Sequence, residues 1–367
     1  FNGTNARTAK DIVQQIEDVG GQMNAYTSRE NTAYFIHLLK EDTELAMDVI
    51  SDMVQDSIFP DKEIEKERDV IIQEIGMCAD TPDDVVFDLY QETAYPKQSL
   101  GAPILGTADI IQKIGKSTLD NYIQNFYTAE NIVMSASGNI KHDEIVKLAE
   151  KYFTNLPNKQ KSMYQAAHYQ GGDNRQEKKL EQAHVVLGFK GISKFDKKYY
   201  HAGLLSTLLG GGMASRLFQS VREKHGLAYS VYSSHSAYKD DGQFEIYVGT
   251  DPEKLGKLMP VLIDEVHKIV QEKASEQELE RAKSQLKSSL LMSQESMLSR
   301  ANRQAKYLIS FDEALNIHHL IKQINAVTIN DIQSMAQNIF TSKPTLATFG
   351  PLSEMPDYET VQSKLAA

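Results

Sequence analysis

The chain begins with alternating helical and strand patterns of apolar and polar positions. The stretch NARTAKDIVQQIEDVG is amphipathic, offers a Thr as its cap and runs to Gly20-Gly21, which predicts a helix. QMNAYTSRENTAYFIHLL is rich in Tyr, Thr and Phe and predicts strand. KEDTELAMDVISDMVQDS returns to helical spacing, and a further helix follows Pro60. STLDNYIQNFY predicts a helix, and NIVMSASGNI a strand ending in a turn. Residues 156–178 are polar and turn-rich and predict a linker.

Beyond the linker the pattern restarts. HVVLGFKG predicts a strand, and YYHAGLLSTLLGGGMASRLFQSVREKHG a helix, a glycine break and a second helix. LAYSVYSSHSAYKDDGQFEIYVGT alternates like paired strands, and PEKLGKLMPVLIDEVHKIV is helical. The two parts are copies: NAY at 24–26 falls on SAY at 236–238, an offset of 212. EIEKERDVI meets ELERAKSQL at 215, and FYTAENIVMSASGNI meets IFTSKPTLATFGPL at about 213, a drift that loop insertions produce. This predicts an α+β fold of two repeated domains, each a mostly antiparallel sheet with helices on one face. The expected division is 1–157, a linker at 158–176, and 177–367.

The helix after Pro60 carries ERDVIIQEI, with Glu67 and Glu74 seven residues apart and therefore on one side. Val70 and Ile71 share that stripe. Three readings are open: a solvated acidic face, a metal ligand with an acid that tunes it, or a general acid/base pair. At the offset of 215 the second copy has Ala282 and Ser289 in their places, so the fold does not need the acids.

Composition narrows the classes. A chain of 367 residues fits two domains, and 41% hydrophobic with 24% charged residues is ordinary for a globular protein. A net charge of −11 argues against nucleic acid and suits basic partners. The single cysteine, Cys78, excludes an internal disulfide, and no apolar run is long enough to predict a membrane span. The opening FNGTNARTAKDI lacks the layout of a signal peptide and an initiator methionine, as expected of a chain cut from something longer. None of the ten histidines forms H-x-x-E-H, its inverse or H-x-x-x-H. Cys78, one turn after Glu74, reads better as a small packed residue than as a ligand. Gly210–Gly212 lack the Lys-Ser/Thr of a phosphate loop, which leaves a helix-breaking turn.

FNGT, NAYTSRE, ERDVIIQE, the LG-PILGT segment and GGGMASRLFQSVREKHGLAYS occur here in order. Together they resemble the M16 metallopeptidases, most of all the mitochondrial processing peptidase β subunit and its bacterial relatives. The resemblance covers nearly the whole chain. It implies one zinc ion in the intact enzyme, held by an H-x-x-E-H motif that stands just before the segment like FNGT, and by a distant glutamate. Glu74 matches that glutamate, and Glu67 the acid that supports it. The motif itself and the family's first strands would precede Phe1, so by this resemblance the chain carries part of a site.

By the same resemblance, Phe1 lines the pocket for the side chain after the cut. Asn24 and Ala25 match edge-strand residues that pair with extended substrate. Asp84 and Asp88, one helical turn apart, match acids that grip an arginine of the substrate. Arg222 and Tyr229 match a pair that holds substrate backbone and the developing oxyanion. The expected activity is zinc-dependent endoproteolysis of extended basic peptides or presequences near an arginine. The expected assembly is a homodimer, or a heterodimer with another M16 subunit. The expected compartment is the bacterial cytoplasm, with the mitochondrial matrix as the alternative. A non-catalytic partner subunit is the competing reading, and a dehydrogenase using the glycine run is the weakest.

Overall fold

The computed structural model describes residues 2–157 and 164–367. The first half runs α1 (Ala9–Glu17), β1 (Gln22–Thr27), β2 (Thr32–His37), α2 (Thr43–Gln55), α3 (Asp61–Ala79), α4 (Pro82–Ala94), the short α5 (Ala108–Ile111), α6 (Lys116–Phe126) and α7 (His142–Tyr152). The second runs β3 (Gly172–Glu177), β4 (Ala183–Lys190), α8 (Tyr199–Gly210), a π-helical turn at Phe218–Lys224, β5 (Ala228–Ala237) and β6 (Gly242–Thr250). It continues with α9 (Leu255–Gln271), α10 (Glu276–Met292), α11 (Met297–Phe311), α12 (Ile317–Ala326), α13 (Ile329–Phe340), β7 (Thr345–Gly350) and α14 (Tyr358–Ala366). The duplication is kept in the helices. α10 and α11 begin 215 residues after α3 and α4, and α13 begins 213 after α6.

Local chemistry sets several of these boundaries. Thr8 caps α1: its hydroxyl accepts from the Asp11 N–H while the Asp11 carboxylate accepts from the Thr8 N–H, a reciprocal capping box. Thr328 and Asp331 do the same for α13. Pro82 opens α4, where its missing N–H costs nothing.

The chain forms two compact units that do not follow the boundary between the copies. One holds the chain up to Gly76, Ile104 to the linker, and Ser293–Leu315. The other holds Met77–Pro103, Gln165–Met292 and Asn316–Ala367. The helix α4 of the first copy therefore lies in the second unit, and its counterpart α11 lies in the first.

The second unit is built on a five-stranded sheet of order β3-β7-β4-β6-β5, parallel at β3/β7 and antiparallel elsewhere. Alternate residues point to opposite faces. Val185, Leu187, Phe189, Phe244, Ile246 and Val248 enter the main core with α8, α9 and α13. The other face is covered too, by a helix of the first copy: Val86, Leu89 and Tyr90 of α4 bury Val186, Tyr247, Ala347 and Phe349. Gly188 is required there, because a Cβ would stand 2.2 Å from the Tyr90 ring.

The predicted linker overlaps this unit. Residues 158–163 lie outside the described residues, but 172–177 form β3. Just before β3, the Ala167 N–H donates to Asp240 at 2.5 Å and the Tyr169 N–H to Asp241 at 2.8 Å. Gln98 exchanges two hydrogen bonds with the His168 backbone. A polar sequence conceals the strand because β3 is an edge with one neighbour.

In the first unit, Ile12, Ile16, Val49 and Met53 form the core, with Met23, Tyr34 and Ile36 against it. Its sheet is the antiparallel hairpin β1/β2. The strand predicted in NIVMSASGNI is not formed: residues 132–137 have no ladder partner among the described residues, whereas their counterpart β7 lies between β3 and β4. A strand pattern becomes a strand only where a neighbour takes its backbone groups.

Candidate functional site

Four groups of sequence-predicted residues lie among the described residues. Phe1 lies outside the described residues.

The acids of α3 come first. Asp61 and Glu63 in its first turn meet the positive end of the helix dipole. Arg68 donates to the Ile114 carbonyl at 2.8 Å and fixes one side of the helix. The other side is open: Glu67 and Glu74 are exposed, Val70 is 45% exposed, and only Ile64 of the helix is fully buried. The stripe is therefore an open face on which acids and apolar groups are interspersed, not a packed one. Cys78 is half-buried on the last turn. Among the described residues no three His, Cys, Asp or Glu side chains gather closely enough to hold a metal ion. A catalytic zinc takes three protein ligands, so the described residues do not make a zinc centre by themselves.

Asn24 and Ala25 lie in β1, whose ladder partner is β2 on one side, with no strand on the other among the described residues. The Ala25 N–H donates to Asn24 Oδ1 at 2.8 Å. The turn that joins β1 to β2 is held by the Ser28 N–H donating to the Asn31 carbonyl at 2.8 Å. This leaves β1 as a short edge to which an extended chain can add.

Asp84 and Asp88 occupy the exposed side of α4, one turn apart, opposite the buried Val86, Leu89 and Tyr90. The packing of α4 on its sheet thus presents both carboxylates outward at the spacing that can hold one guanidinium.

Arg222 and Tyr229 are brought together. Arg222 sits in the π-helical turn, its guanidinium 4.7 Å from the Phe218 ring centre and 4.8 Å from that of Tyr229. Gly226, at φ 61°, turns the chain out of the helix into β5. The β5/β6 register shifts between Ala228 and Ser230, a bulge that projects Tyr229 to 74% exposure. A π-helical turn and a bulge in succession cost regular hydrogen bonds and aim two side chains outward.

Sequence reasoning passed over a polar cluster on the α4-covered face of the second sheet. His184 Nδ1 lies 2.9 Å from the Tyr247 hydroxyl. Glu245 is buried, accepts from Ser234 and Ser236 at 2.7 and 2.9 Å, and leaves Oε2 without a partner among the described residues. Burial pushes its carboxyl up to about 7, against the pull of the two serines. The signal was available: Gln243, Glu245 and Tyr247 alternate with Phe244, Ile246 and Val248, which marks a strand with one polar buried face.

No helix among the described residues is long and apolar enough to cross a membrane. Residues 1–108 match the family model described as insulinase, peptidase family M16, and residues 113–286 match that of the peptidase M16 inactive domain. An uncharacterized zinc protease of Rickettsia felis is 40% identical over 352 residues, covering 96% of this chain and 85% of that protein. The uncharacterized zinc protease YmxG of Bacillus subtilis is 37% identical over 357 residues, covering 97% and 87%. A protease from Helicobacter pylori has the same fold at a TM-score of 0.86 and 23% identity, covering 96% of this chain and 86% of that one.

Proposed function

Because the chain belongs to the M16 peptidase family, we propose that it serves zinc-dependent endoproteolysis of extended basic peptides of the presequence type, cut near an arginine. In this reading Glu74 is one ligand of the metal and Glu67 the acid that supports it. The relatives named zinc proteases support the metal. The observation that carries the substrate class is the outward pair Asp84 and Asp88 on a chain of net charge −11.

In this reading the peptide adds to the free edge of β1 through main-chain hydrogen bonds, alongside Asn24 and Ala25. Asp84 and Asp88 take an arginine as a fork. Arg222, held in its aromatic bracket, binds peptide carbonyl oxygens, and the Tyr229 phenol donates to a carbonyl. The assembly is a dimer, with itself or with another M16 subunit, in the bacterial cytoplasm.

The test is anisotropy of a labelled arginine-containing peptide, read beside a cleavage assay with chelator and with added zinc. Asp84→Asn/Asp88→Asn should weaken binding by about tenfold to a hundredfold, that is about 1.4 to 2.8 kcal/mol. Chelator-sensitive cutting supports the peptidase. Binding without cutting, indifferent to chelator, assigns the chain to the non-catalytic partners. No preference for arginine overturns the substrate class.

A further inference from the structure

Along the face of the second unit's sheet covered by α4, three aromatic rings form a row. Phe87 of α4 stacks on Tyr247 of β6, with centroids 5.6 Å apart and planes at 20°. Tyr232 of β5, the ladder partner of Tyr247, stacks on it at 5.0 Å and 29°. Tyr247 is buried, but Tyr232 is 39% exposed, so the row ends in an aromatic ring open to solvent.

Asp83 lies four residues before Phe87 on α4, so the two side chains share a face. Its carboxylate is exposed and joins no ion pair among the described residues. Its charge nevertheless acts on two tyrosines of the row and on His184. Behind the effect of burial, Asp83 helps to push the Tyr232 and Tyr247 phenols up, and it opposes the burial that pushes the His184 imidazole down. A carboxylate without a cation beside an exposed aromatic face is suited to a guanidinium or ammonium group: the acid supplies charge and the ring a cation–π surface. The chain builds the complement elsewhere, where Arg222 rests on two of its own rings.

We propose that Asp83 and Tyr232, backed by Tyr247, form a subsite for a cationic peptide side chain, best an arginine, separate from the Asp84/Asp88 pair. The peptide as donor rests on the function proposed above; the subsite itself does not. Adjacent residues on a helix point about 100° apart, so Asp83 and Asp84 serve different sides of α4. A peptide with two spaced basic residues would then be read by two sides of one helix.

Argininamide is the probe, titrated into the full chain while the His184 and Tyr232 ring resonances are followed by NMR. Occupancy neutralises Asp83 and withdraws its support for the imidazolium, so the His184 titration midpoint should fall, and Tyr232 should shift saturably. Nα-acetylnorvaline amide, which carries neither a guanidinium nor an ammonium group, should do neither. Asp83→Asn should weaken argininamide at least fivefold and abolish the His184 response, while Asp83→Glu retains both. Tyr232→Leu should weaken binding about threefold to fivefold, the size of a single exposed cation–π contact. Asp83 also favours the α4 N-terminus as an acid in its first turn; that role alone predicts a stability change and an unaltered argininamide response, which would overturn the subsite. If argininamide binds as described but basic peptides do not, the substrate class fails and the subsite stands. If peptides bind but argininamide leaves Tyr232 and His184 unmoved, the subsite fails alone.

Discussion

Glu245 shows how one side chain can set a pH dependence. The strand pattern that gives Phe244 and Ile246 to the core puts Glu245 on the face under α4, where two serines satisfy one carboxylate oxygen and nothing among the described residues satisfies the other. Tyr90, whose hydroxyl also finds no partner among the described residues, lies over Gly188, the ladder partner of Glu245. Burial raises the folded carboxyl from 4.5 to about 7. Between those values the folded state holds a proton that the unfolded chain has released. Stability from this group is therefore complete below about pH 4.5, falls as pH rises to about 7, and is level above; the fall is on the order of 3 kcal/mol. Glu245→Gln keeps an oxygen for the serines and carries no charge. Melting temperatures from pH 4.5 to 8 should show a flatter slope for the variant and a gain over the parent at pH 8. Equal slopes would show that Glu245 is already ionised in the fold, with its charge compensated.

At the scale of elements, α4 is both a structural part of the second unit's sheet and the carrier of Asp83, Asp84 and Asp88. Leu89 is buried against that sheet. Leu89→Ala should cost about 2 to 4 kcal/mol, through lost burial and the cavity left behind. Hydrogen exchange should quicken first in β4 and β7, with the β1/β2 hairpin unaffected. Equal losses in both places would mean that α4 does not belong to the second unit alone. Much of this was legible beforehand. The caps at Thr8 and the alternation in β4 and β6 are local signals, and the 215-residue offset between ERDVIIQE and its counterpart predicted that α3 and α10 would match. What was not legible depended on neighbours. Residues 132–137 have a strand's pattern but no partner among the described residues; 172–177 have a linker's composition but gain one in β7. The π-helical turn and the bulge that unite Arg222 with Tyr229 come from register, which residue types do not encode. The exposure of Glu67 and Glu74 likewise follows from what packs on α3, not from its spacing.

For the whole molecule, the consequence of the duplication is that each copy places a helix in the unit built mainly from the other. Inside the first unit, α11 meets the first copy's residues: Lys306 lies 5.3 Å from the Tyr26 ring centre, and Ser135 donates to Gln304 at 3.4 Å. Inside the second, α4 supplies Val86, Leu89 and Tyr90 to a sheet that takes no strand from the first copy. The chain passes between units after Gly76, Pro103, Tyr164, Met292 and Leu315. An independent domain keeps its core within one stretch and its boundary in a linker that few contacts cross. By that criterion neither copy is independent, although the sequence pattern restarts after residues 156–178. A fragment 164–367 would leave Val186, Tyr247, Ala347 and Phe349 without their cover, an apolar surface that solvent penalises at roughly 25 cal/mol per Å². Expressed alone, it should bind a hydrophobic dye and melt without a cooperative transition. Co-expressed with 1–157 it should recover both solubility and a cooperative melt, and a 1–157 fragment carrying Val86→Asp in α4 should fail to rescue it. A fragment 164–367 that melts cooperatively on its own would show that α4 is an accessory to the second sheet, and that the exchange of helices is not what binds the two copies into one fold.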